Sequence, residues 1–469
     1  MPAGPSRNPR TLHKGGPGRS ARCRPHFFPA FLPAIPYTAL SGRIDGIRRT
    51  RTGGQAMKGK LVIVMVGLPA RGKSTMARKL GRTLEMDGVR VRIFNNGELR
   101  RKLDTDLSTS SSEFFSPANV QGKEMRERIS QLNIEEAQAF LQVGGEVAII
   151  DASNVTRERR RNIDAAFPDL PMVYVECVNA DEEALEANLE RKASLKEFNH
   201  LSREKALESF VRRINYYESI YEPLDEESNR ILVDSFDSCI LQERISEVLP
   251  YYDRIRDIIT TRVVRNLYLV RHGETYYNRE DRLGGDSDLT ERGLDQANAL
   301  AEHFATIRIP IIFTSNHKRT LQTATPIAER QQPCSIIALP EFNEINAGVC
   351  EHMTYAEVRR QMPQVARERG PNKYRYVYPE GEGYATMEER VHRGLKKVFF
   401  LNNYDENIMI VGHRAVNRMI LSSFLSRQEA EIPYIYMPQD RYYHIQIDPH
   451  KRIFELIPYR CVATAGNGR

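Results

Sequence analysis

The stretch KLVIVMVGLPARGKST, residues 60–75, decides the architecture of the first part of the chain. Its opening, KLVIVMV (60–66), is a continuous apolar run rich in β-branched residues, as expected of a strand buried on both faces. Residues 67–74 then match G-x-x-x-x-G-K-[ST], and a helical pattern follows from Lys73 to Asp87. Strand, glycine loop and helix in that order make a phosphate cradle. Gly67 and Gly72 let the backbone turn its N–H groups inward, and the positive end of the helix faces the same anion. The cradle runs Gly67, Leu68, Pro69, Ala70, Arg71, Gly72, Lys73, Ser74 and Thr75. Lys73 supplies a point charge to the β- and γ-phosphates of ATP, and Ser74 offers its hydroxyl to Mg²⁺.

Outward from this stretch, strand-like runs recur at Val89–Phe94, Val147–Asp151, Val173–Cys177 and Arg230–Asp234. Helical patterns near Gly122–Val143, Asp181–Lys192 and Ser202–Ser219 separate them. Alternation at this spacing predicts a parallel sheet with helices on both faces. Asp151 ends its strand and opens DASNVTRERR (151–160). An acid at the tip of a strand beside the cradle either holds Mg²⁺ or takes a proton from an attacking hydroxyl. Arginines gather in the loops of this half, among them Arg100, Arg126, Arg159 and Arg213. Guanidinium forks bind phosphate in pairs, so a phosphorylated acceptor is expected.

The pattern restarts at Leu267–Val270, a short buried strand followed by Arg271-His272-Gly273-Glu274. Helices are predicted at Thr290–Thr306, Lys318–Arg330 and Thr386–Phe400, with strands at Ile311–Thr314 and Asn407–Val411. Arg319, Glu344 and His413 stand at or near the ends of these elements, a placement that assembles pockets at the carboxyl edge of a sheet. A neutral imidazole at His272 can attack phosphorus and form a phosphohistidine. Arg271, Arg319 and His413 would spread the charge of the phosphoryl oxygens. Glu344 can protonate the leaving alkoxide and then activate water, with no metal required. The settings of His303, His317 and His352 ask for no chemistry.

The bulk numbers exclude other classes. Residues 1–56 carry ten Arg and Lys against one acid, whereas the rest of the chain holds 58 against 60. The excess of positive charge is therefore confined to a Pro/Gly/Arg-rich extension, and no nucleic-acid footprint is expected on the folded part. No apolar run approaches membrane-spanning length. Six scattered cysteines without a C-x-x-C pair fit a reducing compartment, and hence the cytoplasm. The Arg-rich extension reads as a gene-model extension, with translation starting at Met57; the alternative is an organelle transit peptide, which its composition resembles. The expected organisation is a basic disordered extension (1–56), a first domain (57–253), a linker (254–264), a second domain (265–460) and a short tail (461–469).

Taken together, GLPARGK (67–73), DASNVTRERR (151–160), LVRHGET (269–275), NEINAGVCE (343–351), MTYAEV (353–358) and KYRYVYPEGEGY (373–384) resemble the bifunctional 6-phosphofructo-2-kinase/fructose-2,6-bisphosphatase family. The likeness runs from about Lys60 to about Asp448. It implies an α/β chain: a P-loop NTPase-type parallel-sheet domain followed by a histidine phosphatase (phosphoglycerate mutase-like) domain. The first would phosphorylate the 2-hydroxyl of fructose 6-phosphate with MgATP. The second would hydrolyse the 2-phosphate of fructose 2,6-bisphosphate.

By the same resemblance, Arg100, Arg126, Ser153, Arg159, Lys192, Arg213 and Tyr217 match binders of fructose 6-phosphate, with Ser153 where Thr is usual. His272 matches the nucleophile and Glu344 the proton donor. Arg271, Asn278, Arg319 and His413 match the pocket for the 2-phosphate. Gly284, Tyr355, Arg369, Lys373, Tyr384 and Arg418 match the grip on the rest of the sugar. Arg414 stands where the vertebrate enzymes have Gln, an added cation that would tighten substrate or product binding. Family members are often homodimers, though no feature of this sequence points to one, and the carboxyl-terminal regulatory tail of vertebrate forms is not expected. Three other readings use the same motifs: an enzyme with one working half, a non-catalytic sensor of ATP and sugar phosphate, and a kinase and phosphatase pair acting on another phosphorylated small molecule. The presence of Lys73, Asp151, His272, Glu344 and His413 together argues against the sensor, which needs no nucleophile.

Overall fold

The six residues Leu61–Val66 (β1) are wholly buried, as the unbroken apolar run requires. In this computed structural model they form the middle of the first of two sheets. The described residues are 59–459, apart from 104–108, 110–111, 117, 194–200, 262, 332, 403–406 and 449–450. The basic extension and the short tail lie outside them.

Around β1 stand Val91–Asn95 (β2), Val147–Asp151 (β3), Met172–Val178 (β4), Arg230–Asp234 (β5) and Cys239–Arg244 (β6). Their order is β2-β3-β1-β4-β5-β6, parallel except for β6. Side chains alternate across the sheet. Leu61, Ile63 and Met65 pack with Met76 and Leu80 of the helix Lys73–Met86. Val62, Val64 and Val66 pack on the other face with Ile134 and Leu141 of the helix Val120–Gln142. Caps fix the helix starts: Thr156 accepts from the Arg159 amide, and Ser202 from the Lys205 amide.

The second sheet comprises Val264–Arg271 (β7), Ile311–Thr314 (β8), Ser335–Ala338 (β9), Ile408–Gly412 (β10), Arg441–Ile447 (β11) and Arg452–Pro458 (β12). The order is β12-β11-β7-β10-β8-β9, with β11 and β12 antiparallel to the rest. The helix Tyr384–Leu401 covers one face, and Leu300, Phe304 and Ile327 fill the other. Both sheets belong to one compact unit.

The segment expected as a linker is different. The helix Tyr252–Thr260 spans most of 254–264 and lays Ile255, Ile258 and Ile259 into the core of the first sheet, and β7 begins at Val264. Arg254, Arg256 and Asp257 give the segment a polar look, but the apolar residues at i, i+3 and i+4 form a helical stripe. The strands β6, β9, β11 and β12 were not predicted. None of them carries a continuous buried run.

Candidate active sites

The phosphate cradle grows out of the sheet register. β1 lies between β3 and β4, with Met65 opposite Asp151 and Val66 opposite Glu176. The chain leaves β1 through Gly67 at φ +133°, where a Cβ would stand 2.5 Å from the Cys177 carbonyl oxygen. Gly72, at φ +79°, caps the helix without a side-chain bond. The first-turn amides are thus left for a ligand. Neighbouring segments hold the loop. Asn188 donates to the Ala70 carbonyl at 2.8 Å, Ser235 Oγ donates to the Arg71 carbonyl at 2.8 Å, and the Arg71 guanidinium donates to the Asn179 carbonyl.

Lys73 folds back so that Nζ donates to the Leu68 carbonyl at 2.6 Å. Burial lowers its pKa to about 8, against the pull of Asp151. Burial also raises the Asp151 carboxyl above the ordinary carboxylate range. The Asn95 side-chain amide bridges Asp151 and Ser74, its nitrogen 3.5 Å from the Ser74 hydroxyl. A buried carboxylate and a hydroxyl tied to one amide make an oxygen donor set that fits Mg²⁺ brought in with a nucleotide.

Beside the cradle, cations gather on aromatic rings. The Arg213 guanidinium lies 3.9 Å from the centre of Phe115, Arg100 5.5 Å and Arg126 5.9 Å. The Tyr217 ring is 6.4 Å from Phe115. Lys192 lies 5.9 Å from the centre of Phe210, and burial, with Arg191 nearby, lowers its pKa to about 7. Arg100 and Arg126 are anchored to the carbonyls of Thr109 and Phe114. Ser153 abuts the loop, its carbonyl accepting from the Gly67 amide at 3.0 Å. Arg159 pairs with Glu127 at 3.0 Å. Asn95 and Phe115 were not anticipated; Asn95 ends a strand, a position that could have drawn attention, whereas Phe115 follows no motif.

In the second sheet β7 and β10 are parallel neighbours, with Gly412 opposite Arg271. His272 and His413 therefore emerge side by side, their ring centres 5.2 Å apart. Arg271, His272, Asn278, Gly284, Arg319, Glu344, Tyr355, Arg369, Lys373, Tyr384 and Arg418 all line one cavity of about 280 Å³. Its lining holds seven Arg or Lys against three acids, which suits a polyanion.

His272 Nδ1 lies 2.7 Å from the Gly273 carbonyl oxygen and donates to it, leaving the Nε2 lone pair for attack. Burial, with Arg319 and Arg271 close by, holds this imidazole well below its usual range, so it is neutral. The cations are fixed by backbone carbonyls: Arg271 to Met437 at 3.1 Å, Arg319 to Gly285 at 2.7 Å, Lys373 to Pro433 at 3.3 Å and Arg418 to Ile435 at 2.7 Å. Burial lowers Arg271 to about 9, and its Nε is buried with no partner among the described residues. Glu344 is oriented by the amides of Ile345 at 3.1 Å and Ala415 at 3.2 Å.

His413 is fully buried, its Nδ1 accepts from Arg319 Nε at 3.2 Å, and its Nε2 donates to Ser315 Oγ at 2.7 Å. Both nitrogens are engaged, and the ring holds the Arg319 guanidinium. His317, set aside in the sequence, packs edge-on against His413 at 5.0 Å. Gln439, also unforeseen, donates to the His272 carbonyl at 3.1 Å and to Asn278 at 2.9 Å. It enters from a loop before β11 that carries no motif.

The sequence matches two family descriptions: 6-phosphofructo-2-kinase over residues 48–271 and histidine phosphatase superfamily (branch 1) over 267–458. It is 37% identical over 395 residues to 6-phosphofructo-2-kinase/fructose-2,6-bisphosphatase 4 of Rattus norvegicus, covering 80% of each chain. It is 34% identical over 422 residues to 6-phosphofructo-2-kinase/fructose-2,6-bisphosphatase 1 of Homo sapiens, covering 86% of this chain and 85% of that one. Among solved structures, the alpha-ribazole phosphatase of Shigella flexneri is 23% identical and covers 41% of this chain and 96% of its own, with a TM-score of 0.38.

Proposed function

The chain belongs to the bifunctional 6-phosphofructo-2-kinase/fructose-2,6-bisphosphatase family and makes and hydrolyses fructose 2,6-bisphosphate, and we propose that Lys73 and Asp151 carry the first reaction and His272 and Glu344 the second. In the first half, the amides of Gly67–Thr75 and the Lys73 ammonium hold the ATP phosphates. Mg²⁺, bound through the nucleotide with Ser74, would supply charge neutralisation at the transferring phosphoryl group. Asp151, whose burial favours protonation, takes the proton of the sugar 2-hydroxyl as its oxygen attacks the γ-phosphorus and the bond from that phosphorus to the bridging oxygen breaks, releasing ADP. Arg100, Arg126, Arg213 and Tyr217 around Phe115, with Lys192, Ser153 and Arg159, bind fructose 6-phosphate. Lys192, close to neutrality in the free site, gains a proton when that phosphate arrives.

In the second half, His272 Nε2 bonds to the phosphorus of the 2-phosphate while the bond to the sugar O2 breaks. Glu344 gives the departing oxygen its proton. Arg271 and Arg319 stabilise the equatorial oxygens, with Arg319 held by His413. Asn278, Gly284, Tyr355, Arg369, Lys373, Tyr384 and Arg418 hold the sugar and its 6-phosphate. Water, deprotonated by Glu344, then attacks phosphorus and frees His272. The observation that carries this reading is the neutral His272 in a cavity walled by fixed cations, next to an oriented carboxylate. Work in the cytoplasm and assembly as a homodimer belong to the same proposal.

The test is to give purified protein MgATP and fructose 6-phosphate and follow bisphosphate formation, then supply the bisphosphate alone and follow phosphate release. Both reactions are expected. Release without formation would support an enzyme with only its second half at work, and neither reaction would leave the sensor.

A further inference from the structure

The helix Tyr384–Leu401 begins in the phosphatase cavity with Tyr384 and ends against the ATP loop. Arg393, Lys396, Lys397 and Phe400 fall at i, i+3, i+4 and i+7, one face of the helix. That face meets the kinase half. Arg393 pairs with Asp181 at 3.0 Å, Lys397 with Glu183 at 2.9 Å and Lys396 with Asp237 at 2.5 Å. Phe400 is buried and packs edge-on against Phe236 at 5.9 Å. A Cβ on Gly72 would lie 3.2 Å from the Phe400 ring, so ring and loop are in contact across the junction.

The two segments gripped by this face are the ones that hold the cradle. Asn179, two residues before Asp181, gives its carbonyl to Arg71. Asn188, on the helix Glu182–Ala193 with Glu183, donates to Ala70. Ser235, between Asp234 and Phe236, donates to the Arg71 carbonyl. The cradle thus rests on props that a helix of the other half clamps.

We propose that this face is a brace for ATP binding and that Phe400 is a positioning residue of the kinase reaction. Phe400 touches no reacting atom. It acts through Gly72 and Ser235, keeping the loop amides converged before the nucleotide arrives. The inference rests on the kinase reading of the first half. It also makes the phosphatase half a structural requirement for ATP affinity.

The test uses the full chain, whose phosphatase activity serves as an internal check of folding. Tyr384 and Phe400 stand about 24 Å apart along the helix, far enough for the phosphatase site to be undisturbed. Phe400→Ala should raise the KM for ATP by about tenfold, with a smaller change in the KM for fructose 6-phosphate and phosphatase kcat/KM within about twofold of wild type. Phe400→Leu should recover most of the loss. Lys396→Glu covers the case in which Phe400→Ala fails to fold. It should raise the KM for ATP by about two- to fivefold, and adding Asp237→Lys should restore it. An active wild type with an unmoved ATP KM in every folded variant would overturn the brace alone. A wild type without kinase activity would overturn the function reading beneath it.

Discussion

Each reaction turns on a few side chains whose charge state is set by burial. His272 is neutral because a charged imidazole would be desolvated beside Arg319 and Arg271. His272→Ala should therefore abolish phosphate release and leave bisphosphate synthesis within about twofold, while Lys73→Met should reduce synthesis to background and spare release. Initial rates of both reactions on each variant check this. Lys73 and Lys192, depressed to about 8 and about 7, lie below the ordinary ammonium range. Phosphate anions favour their charged forms and raise both. Binding of ATP with fructose 6-phosphate at pH 8 should then take up protons, seen as a binding enthalpy that depends on the ionisation heat of the buffer. No buffer dependence would contradict that electrostatic picture. Arg414 lines the phosphatase cavity, and its charge helps lower Arg271. Arg414→Gln should weaken inhibition by inorganic phosphate by about tenfold, the equivalent of one charge-assisted hydrogen bond. An unchanged inhibition constant would remove Arg414 from the anion site.

At the scale of elements, both sites stand where parallel strands end, and the loop that follows decides the chemistry. Gly72 shows how little latitude that loop has. It sits at φ +79°, and a Cβ there would come within 2.8 Å of the Ser235 side chain. Gly72→Ala should cost about 1–3 kcal/mol of strain, confined to the cradle. Kinase activity should fall while phosphatase activity persists, and equal loss of both would place the strain elsewhere. What was legible in the sequence follows the same logic. β1, β3, β8 and β10 are buried runs and could be read directly, as could the loops after them. The edge strands β6, β9 and β12 face solvent and carry no such run. The helix Tyr252–Thr260 was hidden by its charged residues. At the sites, the chemistry-bearing side chains followed motifs. Asn95, Phe115, Ser315 and Gln439 act by position, through contacts between residues distant in the chain; Asn95 is marked only by ending a strand, and no local pattern marks the other three. Nor could the sequence show that both nitrogens of His413 are taken.

On the scale of the whole molecule, one chain holds two anion pockets of different construction. The first is made of backbone amides and a lysine, and the second of an imidazole among fixed guanidinium groups. Because one makes the substrate of the other, a labelled phosphoryl group should travel through both. The most direct measurement supplies ATP labelled in its γ-phosphate with fructose 6-phosphate, and follows label in the sugar and on the protein. In wild type, label should enter the bisphosphate, appear transiently on His272 and leave as phosphate. In His272→Ala it should accumulate in the bisphosphate with none on the protein, and in Lys73→Met neither sugar nor protein should be labelled. Labelled protein in the Lys73→Met or His272→Ala variant, or a wild type that never labels the sugar, would contradict the account.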